Sequence, residues 1–357
     1  MRVAAGGDDA LLAAVVQSLD DGAGCLVPPS GMSAVETGGV LCPAGHLIAY
    51  TSGSTGMARG ILRTHLSWTS SIEPFTALSG ITSQDVVWTP GPLTSTLYLF
   101  GAVHAHAVGA ATRLRSQDGR DATVVHGVPA RLRAVLANPP ARLRLVVVAG
   151  DHCPAALKEQ ASRLGIDVLE YYGSAETSFV GWRRGVGAFT AFPGAEVQVR
   201  EHVIWVRSPY TAQGYVYSGE PMPGPLRREG AWATVGDLGD EAPPGFTVRG
   251  RGDAAITVGG HTVVIDDVET ILREAAGSDE VAVVGVPHPD LGQVVVAVRA
   301  RGVDLSSRTP AVRSLPAPAR PKAWITVDHL PRTPGGKLDR AALLARARSE
   351  VTWTPHR

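Results

Sequence analysis

The sequence predicts an α/β protein in which a large N-terminal domain with mixed and parallel sheets precedes a small α+β C-terminal domain. Two features lead to this prediction. Strand-like and helix-like segments alternate up to about residue 190, which is typical of a parallel sheet, and short strands between Gly/Pro turns follow them. The 357 residues are 44% hydrophobic, enough for more than one buried core. The predicted domains are 1–250 and 251–357.

The N-terminal domain is predicted to begin with a helix over Asp9–Leu19 and a buried strand over His46–Thr51. A Gly/Ser/Thr loop ends this strand, and a helix is predicted after the loop over Ile61–Ser71. Strands and helices then alternate as Thr123–Val128, Pro129–Ala137, Leu143–Ala149, Pro154–Leu164 and Val168–Tyr172. Short strands are expected next, with loops at Gly219–Pro225 and Pro243–Pro244; the strands are Ala195–Arg200, Val203–Val206 and Phe246–Arg249.

The C-terminal domain is predicted to open with a helix over Asp266–Ala275, which has acidic residues in its first turn. Strong strands follow over Val281–Val286 and Val294–Ala300. The segment Ser306–Pro321 is rich in Pro, Ser and Arg and is expected to be a loose excursion. A last helix is predicted from Ala341 onward.

The composition excludes several classes of protein. The 33 basic and 33 acidic residues balance, which argues against binding to nucleic acid or to an anionic membrane surface. No run of about 18 apolar residues occurs, so no membrane span is expected, and the N-terminus makes a poor secretory signal. The three cysteines lack the spacing of a disulfide framework or a zinc site. We therefore expect a protein of the reducing cytoplasm.

The first motif that carries chemistry is the loop Tyr50–Gly60, which holds three glycines and four hydroxyl residues between an apolar strand and the segment after it. Glycines allow backbone N–H groups to turn toward an anion, and hydroxyls add short donors. Arg59 adds a positive charge. The loop therefore predicts phosphate binding rather than an unspecialised surface turn, although it lacks the Gly-Lys-Ser/Thr ending of a Walker A loop.

Two further motifs place carboxylates beside glycine turns. Glu176 follows a predicted strand in the motif Tyr171–Thr177, where a carboxylate can hold Mg²⁺ against a nucleotide phosphate. Alone, the residue fits equally well an acid at the surface or at a helix N-cap. Asp237 lies in the motif Thr234–Gly239 and can accept hydrogen bonds from ribose hydroxyls, but alone the motif favours a simple Asx turn.

The last two motifs are Gly250–His261 and Leu330–Arg340. The second carries Lys337 on a Pro/Gly-rich loop. Only three of the 33 basic residues are lysines, at positions 158, 322 and 337, so a lysine that persists in this arginine-rich chain draws attention. A compact ammonium on a mobile loop suits developing phosphate and carboxylate charge.

Together, the five motifs resemble in order and spacing those of the adenylate-forming superfamily of acyl-CoA synthetases, peptide-synthetase adenylation domains and luciferases. The resemblance runs from about Ala49 to Leu343. It implies the adenylate-forming enzyme fold, truncated at the N-terminus. It also implies a two-step reaction, in which a carboxylate attacks ATP to give an acyl-adenylate and pyrophosphate, and a thiol then displaces AMP. The implied cofactors are ATP/AMP, Mg²⁺ and coenzyme A.

The resemblance also assigns roles to residues. It implies that Lys337, Glu176 and Arg59 are catalytic, with Glu176 holding Mg²⁺ and Lys337 stabilising the charge of the first step, and that Asp253 lies at the hinge about which the C-terminal domain rotates. The residues implied to bind the nucleotide or CoA are Thr51, Ser52, Gly53, Ser54, Thr55, Gly56, Gly150, Tyr172, Gly173, Ser174, Asp237, Arg251, Gly259 and Gly260. Among them, Tyr172 and Gly173 would lie at the adenine.

The chain departs from the usual family pattern at several positions. Arg59 and Ala58 stand where Lys and Pro are usual, Ala175 replaces a hydroxyl residue that normally reaches the adenylate phosphate, and Thr262 stands where many members have Arg. Only 49 residues precede Tyr50, so a lobe that helps to wall the acyl pocket is expected to be reduced. Short o-succinylbenzoate-CoA ligases share this brevity.

The acyl pocket is expected between the segment Pro90–His106 and the residues near Ala149–His152. Few charges occur there, which favours an apolar or aryl carboxylic acid over a polar amino acid. Bulky residues of this region either line the pocket or belong to the core; they are Trp88, Leu97, Tyr98, Leu99 and Phe100. The histidines at 104, 106, 126 and 152 lack metal-ligand spacing and are predicted to lie at the surface or the pocket edge.

The sequence therefore predicts an ATP-dependent acyl-CoA ligase, an AMP-forming acid–thiol ligase. Two alternatives stay open. One is a stand-alone adenylating enzyme that loads a carrier protein. The other is a partly degenerate member that binds acyl-adenylate or AMP, or catalyses only the thioester step. A homodimer is also left open, and no nucleic-acid partner is expected.

Overall fold

The computed structural model describes residues 1–4, 6–29, 40–51, 59–151, 153–217, 220–251, 255–258 and 261–351. Over these residues, the strands in chain order are β1 (Arg2–Val3), β2 (Cys25–Val27), β3 (His46–Thr51), β4 (Arg59–Thr64), β5 (Val86–Trp88), β6 (Ala111–Arg113), β7 (Val124–Gly127), β8 (Leu145–Val148), β9 (Asp167–Ser174), β10 (Ser178–Arg184), β11 (Thr190–Ala191), β12 (Glu196–Arg200), β13 (Val203–Arg207), β14 (Gly214–Tyr217), β15 (Glu220–Met222), β16 (Arg227–Glu229), β17 (Trp232–Thr234), β18 (Asp237–Ala242), β19 (Gly245–Arg251), β20 (Ala255–Val258), β21 (His261–Val264), β22 (Val281–His288), β23 (Gly292–Ala300) and β24 (Ala323–Val327).

Helices flank these strands. They are α1 (Asp8–Asp21), α2 (Leu66–Thr69), α3 (Ile72–Ser79), α4 (Thr96–Ala107), α5 (Pro129–Ala137), α6 (Ala155–Arg163), α7 (Ile265–Ala276), α8 (Pro310–Ser314) and α9 (Arg340–Glu350), with a 3₁₀ turn over Ala317–Ala319. No helix in these ranges is long and apolar enough to cross a bilayer.

The strands form four sheets. The first has the order β1-β2-β3-β4-β14-β15, and the second has the order β11-β10-β9-β8-β7-β5-β6. The third has the order β16-β17-β13-β18-β19, with β12 beside β13, and the fourth has the order β21-β20-β23-β22, with β24 beside β23. The first three sheets use residues up to 251 and the fourth begins at 255. The domain boundary itself stays a prediction.

The second sheet positions the site. Its strands β6, β5, β7, β8 and β9 are parallel. Helix α4 covers one face and helices α5 and α6 cover the other, so β7 and β8 are buried on both sides. This explains the unbroken apolar run Leu145–Val148. The predicted strands and helices between 123 and 174 are confirmed, because each is specified by local apolar pattern and by Pro129 at the start of α5.

The predicted helix Ile61–Ser71 is wrong. Its first half is β4, which pairs antiparallel with β3 in the register Ala49↔Ile61, and only its second half is helical. The alternation of the strand explains the difference, since Ile61 and Leu62 enter two different cores on opposite faces of the first sheet. Pairing with β3, which ends eight positions before β4 begins, therefore decides the conformation of this segment.

Two predicted loops also contain ordered structure. Residues Glu220–Met222 form an edge strand on β14, within the segment predicted as a loop. The segment Ser306–Pro321 is not a loose excursion, because Val312, Leu315 and Ala319 are buried against the fourth sheet and helix α7. Scattered apolar residues thus fix a segment that is rich in Pro, Ser and Arg.

Candidate active site

A cleft of about 510 Å³ that opens to solvent lies where β8 and β9 end. In an open parallel sheet this carboxyl edge is the usual place for a ligand. The walls come from five parts of the chain, namely β4–α2, the start of α4, the residues after β8, the β9–β10 turn and the loop before α9. Residues on these walls include Trp68, Leu97, Phe100, Ala149, Gly150, Tyr171, Gly173, Ser174, Phe179 and Lys337.

Lys337 reaches this cleft from the C-terminal part of the chain. A tight turn carries it, in which the Gly336 amide donates to the Thr333 carbonyl and the Thr333 amide donates to the Lys337 carbonyl, both at 2.8 Å. The Tyr98 hydroxyl donates to the Gly335 carbonyl at 3.4 Å and ties the turn to α4. The lysine side chain then lies against Gly150, at the end of β8. The structure therefore brings these two predicted site residues together.

Glu176 lies in the turn between β9 and β10. The Ser174 hydroxyl accepts hydrogen bonds from the amides of Glu176 (3.2 Å) and Thr177 (3.1 Å) and so shapes this turn. The Glu176 side chain is only 5% exposed, and its Oε1 accepts a 2.8 Å hydrogen bond from the Tyr215 hydroxyl. The interpretations of Glu176 as a surface acid or a helix N-cap are therefore wrong, because the residue is buried and no helix begins there.

Asp237 and Tyr172 meet on the other side of the β9–β10 turn. The Tyr172 hydroxyl donates to Asp237 Oδ2 at 2.7 Å, and Arg251 is the direct cross-strand partner of Asp237. The turn before Asp237 is held by Thr234, whose hydroxyl accepts from the Gly236 amide. Three of the residues implied to bind the nucleotide or CoA thus lie together, and the carboxylate of Asp237 is bonded to Tyr172 rather than confined to an isolated Asx turn.

The bulky residues predicted for the pocket divide between two roles. Leu97 and Phe100 line the cleft, whereas Tyr98 and Leu99 are buried in the core beneath α4. Trp88 packs against the core under α5 and α6 instead. The remaining wall is aromatic. Phe179 contacts Phe100 and Tyr171 with ring centroids 4.7 Å apart in both pairs, and Trp68 closes the cleft beside them.

The prediction that the histidines lie at the surface or the pocket edge is wrong for His104 and His126, which are completely buried. Burial lowers the pKa of His104 to about 4 and that of His126 to about 3, so both imidazoles are neutral near pH 7. His106 is exposed as predicted. No cluster of His, Cys, Asp or Glu that could hold a metal ion occurs in the described ranges.

Sequence reasoning missed Arg63, which is 1% exposed and lines the cleft beside Trp68. Its guanidinium donates to Ser67 Oγ, to the Ser67 carbonyl and to the carbonyls of Ala175 and Tyr210. Burial lowers its pKa to about 9, although the negative charge of Glu176 acts in the opposite direction. One sequence signal could have indicated Arg63. It lies two residues after Ile61, so in a strand its charged side chain is on the same face as a buried apolar one.

Several predicted site residues lie outside the described residues: Ser52, Gly53, Ser54, Thr55, Gly56, His152, Asp253, Gly259 and Gly260. The backbone of Thr51 ends β3 directly opposite Arg59 at the start of β4, so the two ends of the phosphate-loop motif are paired.

Comparison with known proteins identifies two regions. The family described as "AMP-binding enzyme" matches residues 45–216, and "AMP-binding enzyme C-terminal domain" matches residues 267–337. An uncharacterized acyl-CoA ligase of Bacillus subtilis, YhfT, is 26% identical over 82% of this chain and 67% of its own length. A probable 2-succinylbenzoate–CoA ligase of Mycobacterium tuberculosis is 29% identical over 98% of this chain and 94% of its own. The chain spans about two thirds of the first relative and nearly all of the second.

Solved structures with the same fold include ATP-bound MatB from Rhodopseudomonas palustris, which superposes with a TM-score of 0.73 at 26% identity over 85% of this chain and 68% of its own. A variant of MenE from E. coli with bound OSB-AMS gives a TM-score of 0.76 over 94% of this chain and 80% of its own. At 22% identity, the second likeness concerns the fold alone. The predicted arrangement of a large N-terminal and a small C-terminal part is confirmed by these neighbours.

Proposed function

The chain belongs to the AMP-binding enzymes of the adenylate-forming superfamily, and on that premise we propose that it is an ATP-dependent acyl-CoA ligase. The reaction converts a carboxylic acid, ATP and CoA into acyl-CoA, AMP and pyrophosphate through an acyl-adenylate. The curated relatives named above are acyl-CoA ligases, which supports this choice. We place the enzyme in the cytoplasm, where its three buried free thiols would stay reduced.

The observation that carries the proposal is the approach of Lys337 to Gly150 at the rim of the cleft. Lys337 and Ser174 both line the cleft. The buried turn that carries Glu176 begins at Ser174, whose hydroxyl accepts from the Glu176 amide. A positive charge held at this place stabilises the negative charge that grows when a carboxylate attacks a phosphate. The cleft can therefore support adenylation, and this favours a complete ligase over a member that catalyses only the thioester step.

The residues present fit a magnesium ion held mainly by the nucleotide. Mg²⁺ prefers oxygen ligands and usually keeps several waters, with one or two protein carboxylates. Glu176 supplies one buried carboxylate beside the cleft, oriented by Tyr215. The bound ion would neutralise phosphate charge. Glu176 would hold it, while Tyr215 fixes the direction of the carboxylate.

The other site residues remain proposals. Asp237, with Tyr172 bonded to it, would accept hydrogen bonds from the ribose, and Arg251 would flank it. The segment Thr51–Gly56 with Arg59 would bind the outer phosphates. Asp253 would act as the hinge, and Gly259 with Gly260 would line the path of CoA.

We further propose that the acid is apolar or aromatic. Trp68, Phe100, Tyr171 and Phe179 form a wall suited to a flat ring. The name of the Mycobacterium tuberculosis relative also indicates an aryl acid. The thiol acceptor is proposed to be CoA, with a carrier protein as the rival.

The test is pyrophosphate exchange with a panel of aryl and aliphatic acids, followed by thioester formation with CoA or with a phosphopantetheinyl carrier. Acid-dependent exchange together with CoA thioester supports the proposal. Transfer to the carrier alone would assign the rival function. Absence of exchange, alongside CoA transfer from a supplied acyl-adenylate, would leave only the thioester half-reaction.

A further inference from the structure

Arg63 is a buried cation at the cleft whose hydrogen-bond acceptors are all neutral. Three of its bonds go to backbone carbonyls, those of Ser67 (3.2 Å), Ala175 (3.3 Å) and Tyr210 (2.6 Å), and the fourth goes to Ser67 Oγ (3.2 Å). Among the described residues, these four oxygens are its hydrogen-bond partners, and no carboxylate forms an ion pair with its guanidinium. The side chain is 1% exposed, so water does not compensate the charge.

Such an arrangement costs free energy in the resting protein. A charge removed from water must be compensated by an opposite charge or by many oriented dipoles. Ile61, two residues earlier on the same face of β4, belongs to an apolar cluster against which Ala175 packs, so the charge of Arg63 lies beside apolar surroundings.

The negative charge that acts on Arg63 is that of Glu176, which already accepts from Tyr215 and, under the proposed function, holds a magnesium ion. Once that carboxylate faces a divalent cation, the field at Arg63 becomes more positive still. A further anion bound in the cleft would compensate this excess of positive charge. The guanidinium stands directly behind the Ser174–Glu176 turn, because it donates to the Ala175 carbonyl in the middle of that turn.

We propose that Arg63 is a positioning residue that makes the cleft selective for an anionic nucleotide. It fixes the Ser174–Glu176 turn through the Ala175 carbonyl, and its charge stabilises the phosphate of bound AMP or acyl-adenylate from behind that turn. The inference rests on the proposed function, since it assumes that a nucleotide occupies the cleft.

The test compares AMP with adenosine by titration calorimetry, because the two ligands differ only in the phosphate. The variant Arg63→Gln removes the charge and keeps a polar side chain. We expect it to weaken AMP binding about tenfold, while adenosine binding changes by less than about threefold. Equal weakening of both ligands would mean that Arg63 only supports the fold, and unchanged AMP binding would overturn the proposal outright.

A second variant, Arg63→Lys, keeps the charge but cannot reach three carbonyls at once. We expect its ratio of AMP to adenosine affinity to stay within about threefold of the wild-type ratio. The melting temperature of the variant should fall, because the hydrogen bonds to the carbonyls are lost. Loss of that ratio contradicts the proposal, and this variant decides the matter if Arg63→Gln does not fold.

The chain supplies a matched control in Arg299. Arg63 lies over the Trp68 ring at 5.6 Å, and Arg299 likewise lies over the Trp324 ring at 6.0 Å. Arg299 also donates to the carbonyls of Val303 and Leu305. It belongs to the fourth sheet, away from the cleft walls. Arg299→Gln should leave both affinities unchanged. If the wild-type protein binds neither AMP nor adenosine, the proposed function fails before the role of Arg63 is addressed.

Discussion

Lys337 occupies the space that a side chain at Gly150 would fill. A β-carbon built on Gly150 would stand 2.8 Å from Lys337 Cε and 3.2 Å from its Nζ. Gly150 also adopts a φ of +86°, a conformation that L-residues with side chains rarely accept. The end of β8 therefore leaves room for the lysine side chain only because residue 150 is a glycine. The contact between the N-terminal part of the chain and the loop before α9 depends on that glycine.

Replacing Gly150 by Ala should displace the lysine and reduce adenylation about 100-fold, since the group that stabilises the developing charge would no longer reach the cleft. Pyrophosphate exchange measures this step. Thioester formation from a supplied acyl-adenylate should change by less than about threefold. Gly165→Ala is the control, because Gly165 also has a positive φ of +71° but no atom lies within 4 Å of its built β-carbon. A similar loss in both variants would attribute the effect to backbone strain.

Lys337→Ala should reduce adenylation to about 1% or less of the wild-type rate, because under the proposed function its ammonium would act on the charge of the first transition state. The thioester half-reaction, started from the acyl-adenylate, should persist. Rapid-quench assays of each half-reaction separate the two effects. The exposed Lys322 provides the matched variant Lys322→Ala, which should behave as wild type. Equal damage to both half-reactions would show that Lys337 supports the structure rather than the first step.

Tyr215→Phe removes the hydroxyl that donates to Glu176 Oε1. The buried carboxylate would lose one charge-assisted hydrogen bond and its fixed direction, so the Mg²⁺ concentration for half-maximal exchange should rise about three- to tenfold. A magnesium titration of the exchange rate measures this change. Tyr210→Phe is a fitting comparison, since that hydroxyl donates to the Pro193 carbonyl and not to a carboxylate. An unchanged magnesium requirement in Tyr215→Phe would contradict the proposal that Glu176 holds the metal ion.

Stability should fall in mild acid because of the buried histidines. Burial, together with the charge of His104, lowers the pKa of His126 to about 3, whereas the unfolded chain has a value near 6.5. The unfolded state therefore binds more protons below pH 6.5, and the free energy of unfolding decreases as the pH falls through that range. At pH 5 the loss from His126 is about 2 kcal/mol.

The variant His126→Met removes this titration. Urea unfolding at pH 7.5 and pH 5.0 should show a difference between the two pH values that is smaller than in the wild type by about 2 kcal/mol. His126 packs against Phe75 and Gly101 without a hydrogen bond in the described structure, so the apolar replacement suits its surroundings. The exposed His106, changed to Gln, should leave the pH difference as it is. Identical pH differences in all three proteins would exclude His126 as the cause.

The sequence predicted those parts of the fold that depend on neighbours in the chain. The apolar run Leu145–Val148 and the proline at the start of α5 suffice locally, and both elements were confirmed. Strand β4 was missed because its conformation depends on pairing with β3, and the helical appearance of Ile61–Ser71 did not include that partner. Local pattern carries no information about which strand lies alongside.

The same limit applies to the site. Motif order located Lys337, Glu176 and Asp237 along the chain, but the burial of Glu176 depends on Tyr215, 39 positions away. Charged residues show this most clearly. Lys158 drew attention as a rare lysine, yet it forms a buried network with Glu170, which Arg183 completes with two 2.8 Å hydrogen bonds. Arg63 attracted no assignment and lines the cleft. Composition indicates which charged residues are unusual. Only the tertiary neighbours of such a residue show whether it supports the fold or lines the cleft.

The pairing of Asp237 with Arg251 has a mechanical consequence. Arg251 is the last residue of β19, and the fourth sheet begins only four residues later, at Ala255. The covalent connection between the two parts of the chain is therefore only three residues long, and it starts at the cross-strand partner of Asp237, whose carboxylate accepts the hydrogen bond from Tyr172. Any movement of the C-terminal sheet therefore acts first on the β18–β19 pair, at the residues proposed to bind the ribose.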